Sequence, residues 1–391
     1  MTLLKLALRN IFGAGLRTWL NVFVLSFAFV AIIWLQGFNE GIREQVSNSL
    51  IDFEYGGGQF WHAEYDPFDP LSLSDAHAKI PADLQAKIDQ KNALAILVAQ
   101  ATLYPQGRIH LIILKGIDPE QQILEIPTRF LASDDGEINA LIGTRMARSA
   151  KLEIGDYVTL RWRDANGTFD ARDIRIAQIM QTDVQSIDAG QVWISLASMR
   201  KMTAMPAEAT IIVMGESLQA PPAAAGWQWK SQAALLQDIT DLVRVRSMSS
   251  AIFYFILLLL AMLAIFDTQV LSIFRRRKEI GTLIALGMTR GEVIKLFTIE
   301  GFLNGVLAAV VGAAYGIPLF TYFAGNGVPI PQSSSEGFGI AMGQILYPQY
   351  SSALILGTMT IVLVTVLIVS YLPARKISKM KPTDALRGRL A

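Results

Sequence analysis

"RRRKEIGTLIALGMTR", residues 275–290, sets four consecutive cations directly against an apolar, helix-like run. Ile280, Leu283, Ile284 and Met288 recur at i, i+3, i+4 and i+8, one stripe of a helix. Gly287 ends that turn, and Thr289 with Glu292 three residues later forms a capping box that starts the next helix. The segment is too short to span a bilayer. Either it is anchored at a membrane surface by its cations or it is a docking surface for a partner.

What flanks the segment decides between soluble and membrane folds. The chain has 391 residues, 52% hydrophobic and 17% charged, which is too apolar for an ordinary soluble protein. Four apolar runs, at 18–38, 248–274, 293–323 and 351–371, are each long enough to cross about 30 Å of hydrocarbon as a helix. The first exceeds the apolar core of a signal peptide and has no small-residue cleavage site after it, so it reads as an uncleaved span. The expected fold is an α-helical membrane protein with four transmembrane helices and a mixed α+β extracytoplasmic domain inserted between helices 1 and 2.

Orientation follows from Lys and Arg. Residues 1–17 carry three, 275–295 carry six and the tail from Arg375 carries six, whereas 324–350 carry none. Both termini and the 275–291 loop are therefore expected in the cytoplasm, with 39–247 and 324–350 outside. The outer segment holds 19 basic and 27 acidic residues, so a near-neutral total conceals a polarised molecule. Nothing in this pattern suggests nucleic-acid binding. Residues 1–17 place Lys5 and Arg9 on one face among leucines, as in an interfacial helix, and 372–391 form a basic cytoplasmic tail.

Within 39–247, "LAILVAQATLY" and "RIHLIILKGI" flank "PQG" and read as a hairpin. "DYVTLRWRD", "DARDIRIAQIM", "QVWISL" and "TIIVMG" are further strands. Helices are expected near 81–92, 141–152, 196–204 and 231–247, the last continuing into the second span. The Pro-rich "QAPPAAAG" (219–226) reads as a turn, and a division into two subdomains is expected near 140. Aromatics in "FEYGGGQFWHAEYDPF" (53–68) suit strand packing, with a hydrophobic-ligand role as the alternative.

Catalytic signatures are sparse. The sequence holds no phosphate-cradling G-x-x-x-x-G-K-[ST], no H-E-x-x-H and no G-x-S-x-G. His62, His77 and His110 lack metal-ligand spacing, and cysteine is absent, which removes thiol chemistry. No catalytic, cofactor or metal residue is expected in this chain.

The membrane runs carry their own pattern. Gly301, Gly305, Gly312 and Gly316 fall within about 60° on one helical face at 3.6 residues per turn and form two G-x-x-x-G pairs. These suit close helix packing or a sliding interface between two chains. Asp267 and Glu300 each lie about two turns inside a span at 1.5 Å per residue, where an acid costs several kcal/mol unless paired.

"RRRKEIGTLIALGMTRGEVIKLFTIEGFLNG" resembles the loop of the FtsX/MacB-like permeases of ABC transporters, with its "R-x-x-E-I-G-x-x-x-A-L-G" hallmark. "YLPARKISKMKPTDALR", "LKLALRNIFGAGLRTWL" and "LIGTRMARSAKLEIGDYVTL" resemble that family's tail, start and outer strand–helix–turn element. The resemblance implies a type VII, mechanotransmission half-transporter, a permease closest in layout to LolC/LolE. Two permease chains, alike or different, would pair with a cytoplasmic ATPase dimer that binds ATP and Mg, while this chain holds no cofactor itself. Glu279, Ile280, Gly281, Leu286, Gly287 and Arg290 would contact the ATPase, and Glu300 matches an acidic position common in the family. The implied location is the bacterial inner membrane, with membrane lipids and a periplasmic adaptor or lipoprotein carrier as further partners. Lipoprotein or other lipid-like cargo leads on "LQGFNEGI" and domain size; drug or peptide efflux and a signalling scaffold are the alternatives.

Overall fold

The computed structural model describes residues 16–133, 136–182, 184–218, 221, 224–330 and 345–377. Residues 1–15 of the interfacial helix expected at 1–17, residues 378–391 of the tail expected at 372–391 and the loop core 331–344 lie outside them, as does half of the Pro-rich turn.

In chain order, helix α1 (Leu16–Leu50) runs into a π-helical turn, Ile51–Tyr55. Strands β1 (Gly58–His62) and β2 (Ala78–Lys79), helix α2 (Ala82–Asp89), and strands β3 (Ala93–Leu103), β4 (His110–Ile117) and β5 (Asn139–Gly143) follow. Next come α3 (Thr144–Ala150), β6 (Tyr157–Arg163), β7 (Phe169–Met180), α4 (Gln185–Gly190), β8 (Gln191–Ser195) and α5 (Leu196–Thr203). Strands β9 (Glu208–Ala209), β10 (Ile211–Met214) and β11 (Trp227–Ser231) lead to α6 (Gln232–Leu235) and α7 (Gln237–Arg275). The chain closes with α8 (Arg277–Ala285), α9 (Arg290–Asn326), β12 (Val328–Pro329), β13 (Ile345–Leu346) and α10 (Ser352–Ile377).

These elements form two compact units: Met1–Ile42, Val243–Val328 and Leu346–Ala391 in one, Arg43–Leu242 and Pro329–Ile345 in the other. Four helices, Trp19–Tyr55, Met248–Arg275, Arg290–Asn326 and Ser352–Arg375, are long and apolar enough to cross a membrane. Where they meet, the first unit packs Val22, Leu25 and Phe29 against Ala261, Ile265, Ala308, Val362 and Val366. Polar bonds also join its helices, Asn39 Nδ2 to Tyr254 Oη at 3.0 Å and Thr358 Oγ1 to Gln36 Oε1 at 2.8 Å.

The second unit is built on a nine-stranded sheet ordered β11-β1-β10-β3-β4-β8-β5-β7-β6. Because β6 also pairs with β3, six of those strands close into a barrel, which leaves β6 no free edge. β6 alternates exposed and buried along its whole length, as a strand with one face on a core must. β3 does not alternate. It is buried almost throughout because its length serves two cores with both faces covered. Ala93 and Ala95 pack with Phe60, Leu84 and Trp227. Leu97, Ala101 and Leu103 fill the barrel with Ile142, Leu160 and Ile194.

The expected hairpin is present, with β3 and β4 antiparallel around Pro105–Gly107. Two expectations differ. The stretch near 141–152 is a strand, β5, followed by the shorter helix α3, which is the strand–helix–turn order of the resemblance. The division near 140 falls inside β5, which pairs with both β7 and β8. The two cores divide instead at the middle of β3 and again between Met205 and Ala209. Strand β11, most of which falls between the expected turn and helix where no element was assigned, pairs with β1. In the aromatic stretch, Phe60 is 1% exposed and sits in the smaller core. Trp61 stacks edge-on with Tyr65, so both are packing residues.

Candidate functional site

The site grows from the break between α7 and α8. Arg276 sits between the two helices with φ −94° and ψ 12°, which turns the chain without a glycine. From that corner its guanidinium reaches in two directions: to Glu279 Oε2 at 3.0 Å and to Glu300 Oε2 at 3.1 Å. It also lies 5.3 Å from the Phe297 ring centroid. Glu300 is 6% exposed, so its charge calls for pairing, and Arg276 supplies one partner. The expected polar contact of Glu300 is thus an ion pair, and Arg276 is the partner that sequence reading did not single out. An acid within an apolar helix does signal a cation nearby. Which of the four adjacent cations reaches it depends on the helix break at Arg276.

Helix α8 then turns its apolar stripe inward. Ile280 is 5% exposed and packs with Ile273, Val293, Phe297 and Ala374, while Ile284 and Met288 close over the same cluster. Gly281 is buried as well. Of the six residues that the resemblance assigns to ATPase contact, Ile280 and Gly281 therefore face the helices of their own unit. Glu279 has an exposed side chain held by Arg276. Leu286, Gly287 and Arg290 are exposed together at the end of the segment. Leu286 is 80% exposed, which sets it apart from the buried stripe.

Local chemistry holds that end in place. Gly287 has φ +103°, a conformation that a side chain would strain. The predicted capping box forms: Glu292 N donates to Thr289 Oγ1 at 3.3 Å and Thr289 N donates to Glu292 Oε2 at 2.8 Å. A rigid corner thus presents one large apolar side chain, with Arg290 beside it on the first turn of α9. A cation at a helix start gains nothing from the helix dipole, and Arg290 has no hydrogen-bond or ion-pair partner among the described residues.

The glycine face of α9 is occupied within the unit. Gly301 abuts Ser370 and Gln269, Gly305 abuts Val366 and Leu363, and Gly312 and Gly316 lie against Ser26 and Val30. All four pack helix to helix. Asp267, in contrast, is exposed on α7. Among the described residues, no group of three or more His, Asp or Glu could hold a metal ion.

Four helices long and apolar enough to cross a membrane, a capped turn segment and a sheet-rich unit suit a membrane protein with a large sheet-rich domain. Residues 251–382 match the FtsX-like permease C-terminal family, and the chain is similar to the FtsX/MacB/LolC-like permeases of ABC transporters. It is 31% identical, over 34% of its length and 30% of the relative's, to an uncharacterized ABC transporter permease of Methanocaldococcus jannaschii. It is 26% identical to the macrolide export ATP-binding/permease protein MacB of Wolinella succinogenes, over 40% of this chain and 22% of that protein. Similarity to the lipoprotein-releasing system transmembrane protein LolC of Neisseria meningitidis is 22%, over 74% of this chain and 76% of LolC. The matches span less than a third of the first two relatives and three quarters of the third.

Proposed function

We propose that this chain is the membrane subunit of an ABC transporter in which a separate cytoplasmic ATPase dimer docks on the 275–291 corner. ATP and Mg would be held by that ATPase. Leu286 carries the reading: an 80% exposed leucine on a rigid corner is shaped as an anchor for a partner's groove, with Gly287 and Arg290 at its rim. Membrane anchoring alone would call for the inward stripe to face lipid, and that stripe is covered by Ile273, Val293 and Phe297. Closure of the ATPase would move the bundle through Arg276 and Glu300 and so move the sheet-rich unit, which the distribution of Lys and Arg puts outside the inner membrane.

Lipoprotein or another lipid-like molecule is the cargo favoured here, because the match to LolC extends over most of both chains. Efflux is the second reading, supported by the shorter match to MacB.

The test is co-purification of the ATPase with Leu286→Asp. A charge placed in a packed interface costs several kcal/mol without a partner, and each 1.4 kcal/mol is a factor of ten, so recovery should fall at least about tenfold. Leu111→Asp, at a leucine 72% exposed in the barrel, is the matched control and should recover the ATPase normally. Normal recovery with Leu286→Asp would remove the docking role.

A further inference from the structure

The outer wall of the barrel carries a groove that ATPase docking leaves unused. Its floor follows from strand alternation: β6 turns Leu160 and Trp162 inward and Arg161 and Arg163 outward. Thr102 of β3 lies opposite Arg161 on one side and Leu111 of β4 on the other, and Arg163 lies opposite Phe169 of β7. Directly opposed residues share a face of a sheet, so these five side chains form one surface. The 3-10 turn Pro70–Ser74 makes the facing wall. Asp69 Oδ1 accepts from Leu71 N at 2.9 Å and Leu73 is buried, which fixes the turn and leaves Leu71 in the lining. The groove holds about 510 Å³, within the range of about 300–1,000 Å³ that small-molecule pockets occupy.

The lining joins apolar surface to an available cation. Leu71, Leu111 and Phe169 are 77%, 72% and 61% exposed, more apolar surface in one place than the barrel needs for its own packing. Arg161 holds its guanidinium 4.4 Å from the Phe169 ring centroid and has no hydrogen bond or ion pair with another described residue. Arg163 donates through Nε to Gly167 O at 3.2 Å and retains further N–H donors. The acids of the lining are engaged locally. Asp164 Oδ1 accepts from Asn166 N at 2.9 Å and Thr168 N at 2.7 Å, and Asp75 Oδ2 accepts from Ser74 Oγ at 3.4 Å. We propose that the groove binds a single-chain, fatty-acid-like carboxylate, with Arg161 on the carboxylate and the chain along Leu71, Leu111 and Phe169. An arginine fork matches the two oxygens of a carboxylate, and a guanidinium already stacked on a ring is oriented before the ligand arrives. The volume suits one chain and not the two of a membrane phospholipid. The proposal does not rest on ATPase docking or on the transport reading, and its readout involves neither.

The probe is laurate carrying a diazirine at its chain end, photolysed with the full-length protein in native membranes, with labelled peptides located by mass spectrometry. Label should appear on the segments that hold Leu71 and Leu111 and should vanish under excess unlabelled laurate. Arg161→Gln should cut that label at least about tenfold, the loss of one charge-assisted pairing. Leu71→Asp should cut it as far, because a second carboxylate then faces the ligand. Arg172→Gln removes an exposed arginine of β7 outside the lining and should leave the label unchanged. All three positions are exposed, so the variants keep the fold, which an unchanged unfolding temperature checks. A phosphatidylglycerol with the same diazirine should label the apolar helices and not the groove. Absence of label in the groove, label that excess laurate does not reduce, equal label in Arg161→Gln and Arg172→Gln, or equal label from the phospholipid would each overturn the proposal.

Discussion

Arg276 and Glu300 show how much depends on a single pairing. The carboxylate of Glu300 is 8% exposed at its side chain and the guanidinium of Arg276 23%, so neither is well served by solvent if the other is removed. Breaking a buried pair by deleting one partner costs about 3–5 kcal/mol, whereas replacing both with apolar groups of similar size is close to neutral. Glu300→Ala is therefore expected to lower the thermal unfolding temperature of the purified protein in detergent sharply. The double variant Arg276→Met with Glu300→Leu should recover most of the loss. Equal losses in the two would mean that the residues do not act as a pair. The sequence shows an acid in an apolar helix, and that much was legible. Arg276 as its partner was not, because the choice among neighbouring cations is made by the phase of a helix break that no motif encodes.

Among the elements, α9 is gripped along one face, and its glycines differ in how closely. A Cβ on Gly301 would lie 2.5 Å from Ser370 Cβ and 2.7 Å from Gln269 Nε2, whereas one on Gly312 would meet nothing nearer than 3.4 Å. Overpacking of this kind costs about 1–3 kcal/mol. Gly301→Ala should thus lower the unfolding temperature measurably while Gly312→Ala leaves it near wild type; equal tolerance at both sites would show that α9 and α10 separate easily. The periodicity of glycine revealed the face, and the capping box before it was equally plain, since both are short-range chemistry. Sequence was less informative for α8. Its stripe is amphipathic in the usual way, but spacing cannot say whether such a stripe faces a partner or the chain's own helices. Near 141–152 a different ambiguity arose: "LIG" is too short an apolar run to stand out from the helix-like "TRMARSA" after it. It becomes a strand through pairing with β7 and β8.

At the level of the whole molecule, the asymmetry of Lys and Arg makes a topological prediction. Asn166 lies on an exposed barrel turn and Thr289 caps α9. In intact cells an impermeant thiol reagent should label Asn166→Cys and leave Thr289→Cys unlabelled until the membrane is opened; the reverse pattern would invert the orientation. Four helices long and apolar enough to cross a membrane, and a sheet-rich segment between the first two in sequence, were legible from apolar length and strand-like runs. The arrangement inside that segment was not, because its two cores share one strand and the boundary falls in the middle of β3, where composition does not change.

That shared strand has a further consequence. The chain enters the barrel at Leu97 and returns beside the same point, where Thr210 N donates to Ile96 O at 2.9 Å and Val98 N donates to Thr210 Oγ1 at 3.1 Å. Exit and re-entry are therefore a hydrogen bond apart, the geometry of a module inserted into a host rather than of two domains in series. Such a module is exchangeable. Barrels of different size or surface can be grafted across that junction without changing the chain on either side of it, so the barrel and its host can evolve separately.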